Sequence, residues 1–204
     1  MLNKEQASRK IKVLNDIFVG MFSLLDMPEI KASISREHIE KTPGRIAESM
    51  FELVEGCWQD PKEELRTMFT EGNYDEIVYV NNISFVSVCA HHFLPFFGKA
   101  HFGYLPAGNI VGLSKIPRLI ETYSKRPQVQ EKLTCEIVDT FNEVLKPKGC
   151  GLVMEGIHLC MAIRGVKNES AYSRTTALRG VFKDSSTKGE FLDGVRQISK
   201  NIWP

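Results

Sequence analysis

The sequence is poor in the features that mark secreted, membrane-spanning and nucleic-acid-binding chains. Its 204 residues hold only five cysteines (Cys57, Cys89, Cys135, Cys150, Cys160), an odd and sparse set that does not make a disulfide scaffold. No run approaches 18 apolar residues, and the opening MLNKEQASRKIKVLND has no apolar h-region, so neither a membrane span nor a signal peptide is expected. Charge of one sign is also missing. The 26 Lys and Arg against 25 Asp and Glu leave +1, which argues against a broad footprint for nucleic acid or acidic lipid but leaves room for a local basic pocket. There is no repeat or low-complexity tract. Neither a Gly-x-x-x-x-Gly-Lys-Ser/Thr loop nor a Gly-x-Gly-x-x-Gly turn occurs, so any nucleotide is not held by a P-loop or a Rossmann turn. A reducing compartment with some thiols recruited to metal fits this inventory, and a soluble, cytoplasmic protein is expected.

What is present is ordinary globular composition, 43% hydrophobic with 15 Gly. A chain of this size buries roughly 70% of its unfolded surface, enough for a real core. Residues 5–26 read as an amphipathic helix along Leu14, Ile17, Phe18, Met21, Leu24 and Leu25. A second helix is predicted to open at Thr42-Pro43, run along Ile46, Met50, Leu53 and Val54, and stop at Gly56; a short helical stretch around 61–69 follows. The pattern then switches to period two. Residues 77–89 and 99–105 read as neighbouring antiparallel strands, Ser114–Ser124 and Pro127–Lys146 as helices, Gly151–Val166 as a strand, and Thr175–Phe182 as a last alternating stretch. The expected division is a helical region over 1–70 and a second region over 71–204. The fold class is α+β, with an antiparallel sheet bracketing a helical hairpin.

Chemistry gathers in a few places. If residues 156–166 form one strand, Ile157, Leu159, Met161 and Ile163 share an apolar face, and His158, Cys160, Ala162 and Arg164 share the other. Alone, this face reads equally well as solvated with an incidental cysteine. Cys89-Ala90-His91-His92 changes the balance, because Cys-x-x-His is short enough to chelate one ion and Cys160 supplies a third ligand. Two thiolates and one imidazole describe an open, catalytic zinc site; a structural site would close with four protein ligands. Which histidine binds stays open here: strict alternation favours His91, whereas a turn before Pro95 swings His92 round. Ser114-Lys115-Ile116-Pro117-Arg118, at a predicted helix start, sets Lys115 and Arg118 on one face, where with Arg164 they would suit a polyphosphate; solvated helix-end charges are the plainer reading. Gln130-Glu131 reads as helix surface or, for Glu131, as an acceptor for the N–H groups of a guanine edge.

SVCAHHFLPFFGKAHFGYLP, GLSKIPRLIETYSKRPQVQEKLT and GIHLCMAIRGV together resemble the signature blocks of GTP cyclohydrolase I, in order, with a fainter echo at Lys41-Thr42-Pro43-Gly44-Arg45. The resemblance spans about Ile77 to Phe191. It implies a tunnelling fold (T-fold): an antiparallel sheet with a helical hairpin packed on one face, assembled as a homodecamer with active sites between subunits. It implies Zn2+ held by Cys89, His92 and Cys160, which settles the histidine question, with His91 and His158 as catalytic histidines and Ser114 on the ribose side. Gln130 and Glu131 then bind guanine, and Lys115, Arg118 and Arg164 bind the triphosphate. The implied substrate is GTP, hydrolysed at C8 with release of formate and rearrangement to 7,8-dihydroneopterin triphosphate, the first step towards folates, pterins or 7-deazaguanines.

The sequence departs from the family pattern at Ala90, where Glu is usual, at Asn82, where Asp is usual, and at Tyr172 and Arg174, which interrupt a hydroxyl-rich stretch. A zinc nucleobase deaminase is set aside: His38-Ile39-Glu40 is present, but no Pro-Cys-x-x-Cys follows. A non-catalytic zinc protein would have no need of His91, His158 and Glu131. His38 and His101 match no motif and read as surface or packing histidines. Cys57, Cys135 and Cys150 read as small packing residues. Trp58, Trp203 and the Phe93/Phe96/Phe97 cluster read as packing or subunit contacts.

Overall fold

The computed structural model describes residues 3–24, 36–70 and 74–196, which group into two compact units, Met1–Gln59 and Asp60–Pro204. In the first, α1 (Lys4–Leu24) packs along α2 (Arg36–Val54). Leu14 and Phe18 are half-buried, whereas Ile17 and Met21 of the same predicted stripe remain exposed, and Leu25 lies outside the described residues. Helix α2 begins upstream of the expected Thr42 cap, so Pro43 lies inside it. The preceding REHIEK supplies good helix formers and a Glu37–Lys41 ion pair at 2.6 Å, which carry the helix through the hydrogen bond that proline removes. Phe51 stacks on Trp58 at 5.3 Å, and the Lys10 ammonium sits 5.0 Å above the Trp58 ring, so Trp58 is a packing residue.

The second unit opens with a 3-10 turn, Pro61–Leu65, where a longer helical stretch is predicted, and its first strand, β1 (Met68–Thr70), pairs with β4 (Asn109–Val111). The main sheet runs in the order β5-β2-β3-β6-β7, with β2 Val78–Cys89, β3 Pro95–Leu105, β5 Pro127–Gln128, β6 Gly149–His158 and β7 Ser173–Gly180. The β2-β3-β6-β7 ladder is antiparallel throughout, and β5 joins the edge of β2 in parallel. In β2, a bulge between Val80 and Ile83 places Asn82 at φ 57°, a left-handed conformation that asparagine tolerates well.

Helices α3 (Lys115–Ser124) and α4 (Gln130–Leu145) form the predicted hairpin. Helix α4 starts after the short strand β5 rather than at Pro127, and ends on Lys146 in a left-handed cap before Pro147. Leu119, Ile120, Leu133, Ile137 and Phe141 pack against Phe85, Phe102, Leu152 and Met154 on one sheet face. The opposite face carries Val153, covered by Phe191 and Val195 of the final helix, α6 (Ser185–Arg196), which the sequence pattern did not reveal. No helix among the described residues is long and apolar enough to cross a membrane.

Candidate metal centre and active site

Three strand ends converge. Strand β2 stops at Cys89, whose N–H donates to the Leu94 carbonyl at 2.9 Å while its carbonyl accepts from the Phe93 N–H at 2.8 Å. The Ala90 N–H donates to the Gln128 carbonyl of β5 at 2.9 Å, and Phe93 takes φ 56°. Alternation therefore ends at Cys89, and the turn that follows brings the Nδ1 atoms of both His91 and His92 towards its sulfur, at 3.9 and 4.0 Å.

Cys160 arrives differently from the expectation. Strand β6 ends at His158, and residues Leu159–Ala162 form a one-turn helix, α5, so the single strand predicted through Val166 does not form. Met161 and Ile163, assigned to a core face, are exposed by 43% and 62%. The helical turn sets the Cys160 sulfur 4.0 Å from that of Cys89.

The donor atoms of Cys89, His92 and Cys160 all lie within 4.8 Å of one another. Ligands about 2.3 Å from a tetrahedral zinc stand roughly 3.8 Å apart, so both 4.0 Å separations from the Cys89 sulfur suit one ion. The donor chemistry agrees, two sulfurs and one imidazole being a borderline-soft set. Burial raises the pKa of the Cys160 thiol, and its hydrogen bond to Cys89 and the charge of that neighbour raise it further, while Arg164 lowers it.

His158 stands beside this group in a tight frame. Its ring lies flat on Phe96, its cross-strand partner, with centroids 4.5 Å apart and planes 3° apart. Its Nε2 is 2.8 Å from Gln130 Oε1. Burial holds its pKa below the ordinary imidazole value, with the Glu131 carboxylate pulling the other way.

Gln130 itself is only 2% exposed, so it is buried behind His158 instead of facing an open guanine pocket. Its neighbour Glu131 is exposed. Ser114, Lys115 and Arg118 stand at the start of α3, where Ser114 makes no side-chain cap. Among the described residues, none of the three hydrogen-bonds or ion-pairs with the sulfur–imidazole group. Arg164 is exposed just beyond Cys160.

The sequence pattern missed Phe96 and Ser173 as supports of the site. It also left Arg174 unexplained, whose guanidinium lies 3.6 Å from the buried Glu155 carboxylate. Their partners are distant in sequence, and only the strand register, Glu155 opposite Arg174 and Phe96 opposite His158, brings them together.

An antiparallel sheet backed by a helical hairpin, with a Cys–His–Cys donor set at its strand ends, defines an α+β protein with a candidate metal centre. The chain belongs to the GTP cyclohydrolase I family, whose profile matches residues 23–196. A protein of Wolinella succinogenes named GTP cyclohydrolase 1 is 47% identical over 162 residues, covering 79% of this chain and 87% of that one. Proteins of the same name from Chlorobium phaeovibrioides (44% identical; 94% and 86% covered) and Chlorobium chlorochromatii (52%; 77% and 71%) are similar too.

Proposed function

We propose that this protein hydrolyses GTP at C8, releases formate and rearranges the remainder to 7,8-dihydroneopterin triphosphate, at the start of pterin and folate synthesis. The observation that carries this reading is the gathering of Cys89, His92 and Cys160 within 4.8 Å, beside the framed imidazole of His158.

Cys89, His92 and Cys160 would hold the metal, for which we propose zinc, and it would supply Lewis acidity and hydroxide at neutral pH. His158 protonates N7 of the purine as the imidazole ring opens to a formamide. His91, exposed on the turn, serves the later general acid–base steps. Glu131 accepts from the N–H groups of the guanine edge. Lys115, Arg118 and Arg164 hold the triphosphate, and Ser114 lies on the ribose side.

The expected assembly is a homodecamer with active sites between subunits. The exposed Phe93 and Leu113, with Met161 and Ile163 on the segment after Cys160, suit subunit contacts. A cytoplasmic location suits five cysteines of which none forms a disulfide and two would serve as metal ligands.

The test is metal content measured together with formate release from GTP and with the fluorescent pterin formed after oxidation. Stoichiometric zinc with formate and pterin is expected. Zinc without turnover would favour a non-catalytic assembly protein.

A further inference from the structure

Gln130 can be assigned atom by atom. Its amide nitrogen lies 3.1 Å from the Met154 carbonyl, 3.3 Å from the Ser173 carbonyl and 3.1 Å from Thr175 Oγ1. Backbone carbonyls only accept, so this end of the amide must be the NH2 group. The opposite end is therefore the oxygen, and it meets two groups: Ser173 Oγ at 2.6 Å and His158 Nε2 at 2.8 Å. An amide oxygen cannot donate, so His158 Nε2 must carry a proton.

The amide cannot readily turn over. Thr175 Oγ1 is also 2.6 Å from Thr134 Oγ1, and the Thr134 hydroxyl donates to the Gln130 carbonyl at 2.7 Å. Space for the amide comes from Gly156, where a Cβ would lie 2.9 Å from Gln130 Oε1. No group among the described residues hydrogen-bonds to Nδ1 of His158.

We propose that Gln130, seated by Ser173, Thr175 and Gly156, is a positioning residue that fixes neutral His158 as its Nε2–H tautomer, with Nδ1 the bare nitrogen. The kinetic consequence tested below rests on the GTP-hydrolysing reading, whereas the tautomer does not. Gln130 thereby acts through His158 and makes no contact of its own with guanine.

The experiment is 15N NMR of the zinc-loaded holoenzyme labelled at histidine, in which only five residues contribute and His158→Asn identifies the His158 signals. In the wild type, a protonated Nε2 and a bare Nδ1 are expected; the reverse pattern overturns the proposal without any Gln130 variant. Gln130→Met is then expected to release the second tautomer into the spectrum. It should also lower kcat by about 10–100-fold, the loss usual when the partner orienting a functional imidazole is removed, with KM for GTP within about twofold. A rise in KM with kcat unchanged would make Gln130 a substrate contact and overturn the proposal. Failure to release formate in the wild type would strike the GTP reading while leaving the tautomer to be decided by the spectrum.

Discussion

Gly98 and Gly156 face each other across the β3–β6 ladder, and neither position has room for a side chain. A Cβ on Gly98 would lie 1.8 Å from the Glu155 carbonyl oxygen, in the backbone of the next strand, whereas one on Gly156 would meet the Gln130 amide at 2.9 Å. The two glycines thus clear different things, a strand at one position and the frame of His158 at the other.

Gly98→Ala must push the strands apart, since a backbone carbonyl cannot rotate away. A loss near the upper end of about 1–3 kcal/mol is expected, read as a fall in Tm of roughly 6–12 °C. Gly156→Ala meets a side chain and should cost less, about 1 kcal/mol, yet lower kcat about tenfold by displacing Gln130. Thermal melts and steady-state kinetics on both variants decide it; equal stability losses with equal activities would contradict the distinction.

The proposed metal centre and the proposed acid, His158, are separable. His158→Ala should retain zinc at wild-type stoichiometry, since none of the donor atoms within 4.8 Å belongs to it, but lose ring opening by 100-fold or more, roughly the lower end of general acid–base contributions. Cys160→Ala should lose zinc and turnover together while keeping its far-ultraviolet circular dichroism, because only the one-turn α5 depends locally on that residue. Metal analysis on the two proteins is the measurement. A zinc-free His158→Ala, or a zinc-replete Cys160→Ala, would refute the assignment of ligands.

Arg118 is exposed on α3 and, among the described residues, forms no hydrogen bond or ion pair with the sulfur–imidazole group, so its replacement should spare the centre. Arg118→Ala is expected to raise KM for GTP by roughly 10–100-fold, the equivalent of one charge-assisted hydrogen bond of about 1.5–3 kcal/mol, with zinc content unchanged. An unaltered KM would remove Arg118 from the phosphate site.

The sheet and hairpin were legible because each buries one face on a regular period: Ile83, Phe85 and Ser87 alternate inward along β2, and Leu133, Ile137 and Phe141 recur at four-residue spacing along α4. The spacing pointed to Cys89 and Cys160 but left His91 and His92 open, and only the family resemblance singled out His92; the strand face expected to pair His158 with Cys160 does not form. Residues 157–163 alternate apolar and polar like a strand, yet they leave the sheet after His158, and a helical turn achieves the same approach. Helix α6 escaped because Gly189 and Gly194 weaken helix propensity and only Phe191 and Val195 are deeply buried along it. Gln130 looked like helix surface because its partners, Met154, Ser173 and Thr175, lie far along the chain.

His101, which matched no motif, is fully buried, with Nδ1 3.4 Å from the Asn82 N–H and 3.3 Å from Asn81 Oδ1, and with no partner for Nε2. Burial lowers its pKa, and the charges of Arg174 and Lys99 lower it further. The unfolded ring titrates near 6.5, so between that value and the lower folded one the unfolded chain binds more protons. The stabilising contribution of the neutral ring is therefore complete above about pH 6.5 and is lost as the pH falls through the folded value. Tm of the wild type should decline between about pH 7.5 and 5.5 more steeply than that of His101→Gln, which has no proton to take up. Parallel Tm–pH curves for the two proteins would show that His101 does not govern the acid limb.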